Sequence, residues 1–82
     1  MQEYKSKSIS AILDLRGENS LNSIEIVLKS LEGLEPGEVL EIMLNGILEM
    51  DIITDAIKEE SDYKILGYQN CNINIHLFIE VL

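Results

Sequence analysis

Residues 13–23 read LDLRGENSLNS, and this stretch decides the fold. Leu13, Asp14 and Leu15 alternate apolar, polar, apolar, as a strand with one buried face does. Arg16, Gly17, Glu18 and Asn19 have the composition of a turn. From Leu21 onward the apolar residues recur at helical spacing: Leu21, Ile24, Val27, Leu28, Leu31 and Leu34. Asn19, Ser20 and Asn22 are all N-cap candidates, and Asn22 with Glu25 three residues later mimics a capping box. The spacing therefore predicts a strand over residues 9–15, a glycine turn and a capped helix.

Beyond this stretch, the helix should stop before Glu35-Pro36-Gly37-Glu38, because Pro36 cannot continue it. Residues 39–44 form a second strand, with Leu40, Ile42 and Leu44 on one face. Asn45-Gly46 is a hairpin signal by itself. The residues after Gly46 are helical in period, however, with Leu48, Ile52, Ile53, Ala56 and Ile57 inside and Glu49, Asp55, Lys58 and Glu59 outside. Asn45-Gly46 is then the entry loop of a second helix, about residues 48–60. A third strand covers residues 63–68, a turn covers 69–72, and strict alternation over 73–81 marks a fourth strand. Phe78 and Leu82 interrupt its polar side. With Tyr68 across the hairpin they suggest an apolar contact patch. The order β-α-β-α-β-β predicts an α/β (α+β) two-layer sandwich, a four-stranded mixed sheet with two helices on one face. Residues 1–8 read as a flexible polar lead-in and residues 9–82 as a single domain.

The 82 residues suffice for one small domain. They are 46% hydrophobic and only 5% aromatic, so the core is aliphatic. The net charge is −9 and the isoelectric point is near 4.3. Phosphate backbones and anionic membrane surfaces repel such a chain, so neither a nucleic acid nor a membrane is an expected partner. A single cysteine, Cys71, rules out an internal disulfide and any Cys-rich metal site, and no metal or cofactor is expected. With no apolar signal core and no run near the ~20 apolar residues that span a bilayer, the expected location is cytoplasmic.

Leu13-Asp14-Leu15-Arg16-Gly17, the Pro36-Gly37-Glu38 turn and Asp51-Ile52 together resemble the TusA/SirA family of small sulfur-relay proteins. The resemblance implies a sulfurtransferase-like role, in which a cysteine of a Cys-Pro-x-Pro motif at the first helix start carries a persulfide. Such a thiol gains acidity from the positive end of the helix dipole. Here Ser20, Leu21, Asn22 and Ser23 occupy that motif, so the site is degenerate. A hydroxyl cannot carry a sulfane sulfur, and as a nucleophile Ser20 would need an adjacent base, which nothing in the sequence brings near. Its plain role is a helix cap.

The expectation is thus a non-catalytic interaction or accessory module associated with sulfur transfer. Its protein partner would be a sulfur-transfer component, docked on Arg16, Glu18, Asn19, Ser20 and Asn22. The alternative is an active sulfur carrier that uses Cys71 or a partner's thiol. A homodimer through the C-terminal strand is a further expected arrangement. His76, alone on the polar side of the last strand, reads as a half-exposed strand residue, and the many carboxylates read as a solvated acidic surface.

Overall fold

The computed structural model describes residues 8–82. The lead-in expected over residues 1–8 therefore lies, but for Ser8, outside the described residues. The elements run β1 (Ala11–Asp14), α1 (Ser20–Glu32), β2 (Val39–Leu44), α2 (Ile47–Lys58), β3 (Tyr63–Cys71) and β4 (Asn74–Val81). The sheet order is β1-β2-β4-β3, with β1 parallel to β2 and β4 antiparallel to both its neighbours. This is the two-layer α/β sandwich with a mixed four-stranded sheet that the sequence predicts.

The core lies between the sheet and the two helices. Leu40, Ile42 and Leu44 of β2 pair in register with Ile79, Leu77 and Ile75 of β4, and all six are buried. Directly opposed residues share a face, so these pairs form one aliphatic layer. Val27 and Leu31 of α1, four residues apart, and Ile53 and Ile57 of α2, also four apart, cover it. The helix periods and the strand period therefore converge on one cluster.

β3 departs from the simple alternation. Its register passes from Ile65 opposite Ile79 to Gly67 opposite Phe78, so the strand carries an extra residue at Leu66. A bulge of this kind shifts every later side chain to the other face. Ile65 and Tyr68 consequently both pack on the core. Tyr68 lies opposite Leu77 on the helix side, whereas Phe78 is on the other face and only 5% exposed. The patch expected from Tyr68, Phe78 and Leu82 is not formed. β3 also runs on to Cys71, paired with Asn74, beyond the expected end at residue 68.

β4 is hydrogen-bonded on both edges. A second copy cannot add to it by strand pairing, which removes that route to a homodimer through the C-terminal strand. Among the described residues no helix is long and apolar enough to cross a membrane.

Leu77→Ala in the fully buried layer should cost ~2–5 kcal/mol in urea unfolding. Ile73→Ala, at a residue 79% exposed in the β3–β4 turn, should change stability by less than ~0.5 kcal/mol. Equal effects would contradict the assigned register.

Candidate functional site at the carboxyl ends of β1 and β2

Each of the two parallel strands runs directly into a helix, so both helices start at the same end of the sandwich. In open α/β sheets this end, outside the carboxyl termini of the parallel strands, is where ligands bind. Two loops build it here, Arg16–Asn19 before α1 and Asn45-Gly46 before α2.

The loops are tied together. The Gly17 N–H donates to Asn45 Oδ1 at 2.8 Å, across 28 residues of sequence. Next to it the Leu15 N–H donates to the Met43 carbonyl at 2.9 Å, which extends the β1–β2 ladder by one rung. Gly17 has φ +92°, a left-handed conformation that strains any residue with a side chain, although nothing lies within 4 Å of where a Cβ would sit. The glycine is there for its backbone and not for space.

The two helix starts differ. Asn19 is the N-cap of α1, and its Oδ1 accepts from the Asn22 N–H at 2.9 Å. Ser20 is therefore not the cap that the sequence suggested but the first helical residue, half-buried. α2 begins at Gly46, whose extended backbone offers no side-chain cap. Glu49, in the first turn of α2, has its carboxylate over this start; a Cβ on Gly46 would meet Glu49 Oε1 at 3.2 Å. A carboxylate at this position is favoured by the helix dipole.

Arg16 is occupied locally. Its Nε and Nη2 donate to the two carboxylate oxygens of Asp14 at 2.8 and 2.7 Å, and its backbone N–H donates to Oδ1 at 3.1 Å. The Arg16 hydrogen bonds hold the Asp14 carboxyl at about 2, below its ordinary 3.8, and the same pairing pushes the Arg16 guanidinium up. Both groups are solvent-exposed, so the pair fixes loop geometry more than it adds stability.

Of the expected docking residues, Arg16, Glu18, Asn19 and Asn22 are exposed at this end and Ser20 lies half-buried among them. The one histidine cannot serve Ser20 as a base. His76 is on the opposite face of the sheet, where its Nδ1 lies 2.6 Å from Glu41 Oε2. Cys71 is the last, exposed residue of β3 and not a turn residue as expected. Among the described residues no group of three or more His, Cys, Asp or Glu side chains is placed to hold a metal. Asn45 is the site residue that sequence reading missed. Its Asn-Gly dipeptide signals a turn, but the partner of its amide comes from a distant loop.

No protein-family model matches the chain, and no curated protein matches it. Among solved structures it is similar to SMU.1697c of Streptococcus mutans, a protein proposed to be a methyltransferase and solved in complex with SAH. The identity is 26% and the TM-score 0.60, over 96% of this chain and 53% of that one. The chain spans about half the length of SMU.1697c. This likeness overturns the TusA/SirA resemblance. Two of the motifs that carried the resemblance are turn chemistry: Gly17 and Gly37 sit at φ +92° and +91°, which turns of this geometry demand in any family. The accessory sulfur-transfer role and sulfur carriage by Cys71 or a partner's thiol fall with it, as does the reading of Ser20 as a degenerate persulfide site.

Asn45→Ala should cost ~0.5–1.5 kcal/mol and speed exchange of the Gly17 amide, as observed by NMR. Asn19→Ala should cost ~1 kcal/mol. Because the folded carboxyl is depressed, the Asp14–Arg16 pairing is complete above the ordinary carboxylate range and is lost as pH falls through about 2. NMR titration should place Asp14 there, and Arg16→Ala should return it towards 3.8.

Proposed function

We propose that the chain is a methyltransferase-type domain that binds the S-adenosyl class of ligand at the carboxyl ends of β1 and β2. The observation that carries the reading is the likeness to SMU.1697c, which extends over 96% of this chain and was solved with SAH. Since the chain spans about half of that protein, the activity proposed for it is ligand binding and not a complete catalytic cycle.

The residues at this end suit the chemistry of such a ligand. Its ammonium and ribose hydroxyls need acceptors, and Glu18 and Glu49 supply carboxylates beside the same loops. Its adenine needs apolar contact, and Ile47 and Leu48 stand exposed in the first turn of α2. When bound, the methionine form of the ligand supplies an electrophilic methyl group on a cationic sulfur. The carboxylates of Glu18 and Glu49 favour that positive charge. The Gly17–Asn45 hydrogen bond holds the two loops at a fixed spacing, so the contacts on either side are preorganised. The single exposed thiol, Cys71, supports a reducing compartment, the cytoplasm, as the place of action.

Titration with SAH and with S-adenosylmethionine, followed by calorimetry and thermal unfolding, tests the reading. Ligand at ~100 times its Kd should add about 2.7 kcal/mol, which for a domain of this size is a rise of ~10 °C or more in Tm. Gly46→Val, which puts a branched side chain against Glu49 at the start of α2, should abolish the rise. No heat and no rise with either ligand would refute the proposal.

A further inference from the structure

The same end of the molecule carries an unusual amount of uncovered apolar surface. Among the described residues seven large hydrophobic side chains are exposed, and four of them, Leu21, Ile47, Leu48 and Ile73, lie at the carboxyl-end loops and helix starts. Leu21 is 82% exposed and Leu48 is 74% exposed. Each stands two residues before the first buried residue of its helix, Ser23 in α1 and Met50 in α2. Two residues are about 200° of helical rotation, so both leucines point away from the core. Ile52, four residues after Leu48, extends the outward stripe of α2. The helices start at one end, run the same way and touch each other. Their outward leucines therefore stand on the same outer side of the sandwich, at one end.

Charge is arranged around these leucines with a single sign. Glu25 follows Leu21 by four residues on α1, and Asp51 and Asp55 follow Leu48 by three and seven on α2, all exposed. Glu18 and Glu49 add to the rim. The lysines of the two helices, Lys29 and Lys58, come only in the last turns, at the far end. Among the described residues Arg16 is the one cation at this end, and Asp14 pairs with it. The far end of the sandwich is acidic as well, with Glu32, Glu60 and Asp62 near Tyr63. It lacks the apolar stripe, and Leu82 is its one exposed large hydrophobic residue among those described. Acidity alone would not select an end, but acidity with outward leucines does.

We propose that the outward faces of the first turns of α1 and α2 dock a basic amphipathic polypeptide segment, its apolar side on Leu21 and Leu48 and its lysines or arginines against Glu18, Glu25, Asp51 and Asp55. Charge complementarity argues for this occupant: a nucleic acid would bring phosphates to a carboxylate rim, and a second copy would bring the same negative charge. The inference rests on the methyl-transfer reading only in making the docked segment a class of methyl acceptor. The docking itself stands on the surface alone.

The test is fluorescence anisotropy with a labelled amphipathic Lys/Leu peptide, beside the same peptide with Glu for Lys and a labelled single-stranded oligonucleotide. The Lys/Leu peptide should bind, more weakly as salt rises, and the other two should not. The double variant L21S/L48S, at two exposed positions, should bind it roughly tenfold more weakly or worse with unchanged circular dichroism and Tm. E25Q/D51N should weaken binding and flatten its salt dependence. Unchanged affinity in L21S/L48S, absence of binding by the wild-type chain, or equal binding of the oligonucleotide would each overturn the proposal. Calorimetry of SAH on the wild-type chain, beside the peptide titration, keeps the two readings apart. Peptide binding without SAH binding would leave docking standing and sink the methyl-transfer reading, and SAH binding without peptide binding would do the reverse.

Discussion

β1 and β2 run parallel, and a parallel pair cannot be closed by a tight turn. The chain must leave the end of β1, cross back over the sheet as α1 and re-enter at the start of β2. α2 repeats the move from β2 to β3, with β4 filling the place between them. That constraint sends both helix starts to one end of the sandwich. It also places the Arg16–Asn19 loop beside Asn45-Gly46. The Gly17–Asn45 hydrogen bond then joins the two loops into one surface. Caps, glycines, carboxylates and exposed leucines at that end owe their neighbourhood to the parallel pairing.

The opposite requirement acts on β4. It must bury one face against the helices while pairing with strands on both sides, and its run of Ile75, Leu77, Ile79 and Val81 supplies that face. Arg16, Glu18, Asn19 and Asn22 are exposed, and the Asp14–Arg16 pair is a surface interaction. The core layer and the exposed loop residues are thereby held in different parts of a small chain.

Most of this fold is legible in the sequence, for a physical reason. The period of two from Ile75 to Val81 and the period near 3.6 from Val27 to Leu31 and from Ile53 to Ile57 place the core residues, and both survive in the structure, although Leu21 and Ile73 at their starts are exposed and Phe78 is buried on the second face of β4. What the sequence hides is non-local. The bulge at Leu66 has no mark in the apolar pattern, since Ile65, Leu66 and Tyr68 allow either phase, and it reassigns Tyr68 to the core. Asn19 rather than Ser20 caps α1 because caps are chosen by loop geometry among several suitable residues. Asn45 looks like an ordinary turn residue until Gly17 is placed against it. The sulfur-relay resemblance failed for a related reason: its motifs were a strand end, one Pro-Gly turn and an acidic-Ile pair in a helix, which report backbone shape and not chemistry.

The most direct measurement is a map of backbone amide shifts in the 15N-labelled chain as SAH is added. Shifts concentrated at Gly17, Glu18, Asn45, Gly46 and the first turn of α2 would place the ligand on the paired loops at the carboxyl ends of β1 and β2. Shifts confined to the sheet face that carries Glu41 and His76, or no shifts at saturating ligand, would contradict a site built by the parallel strands.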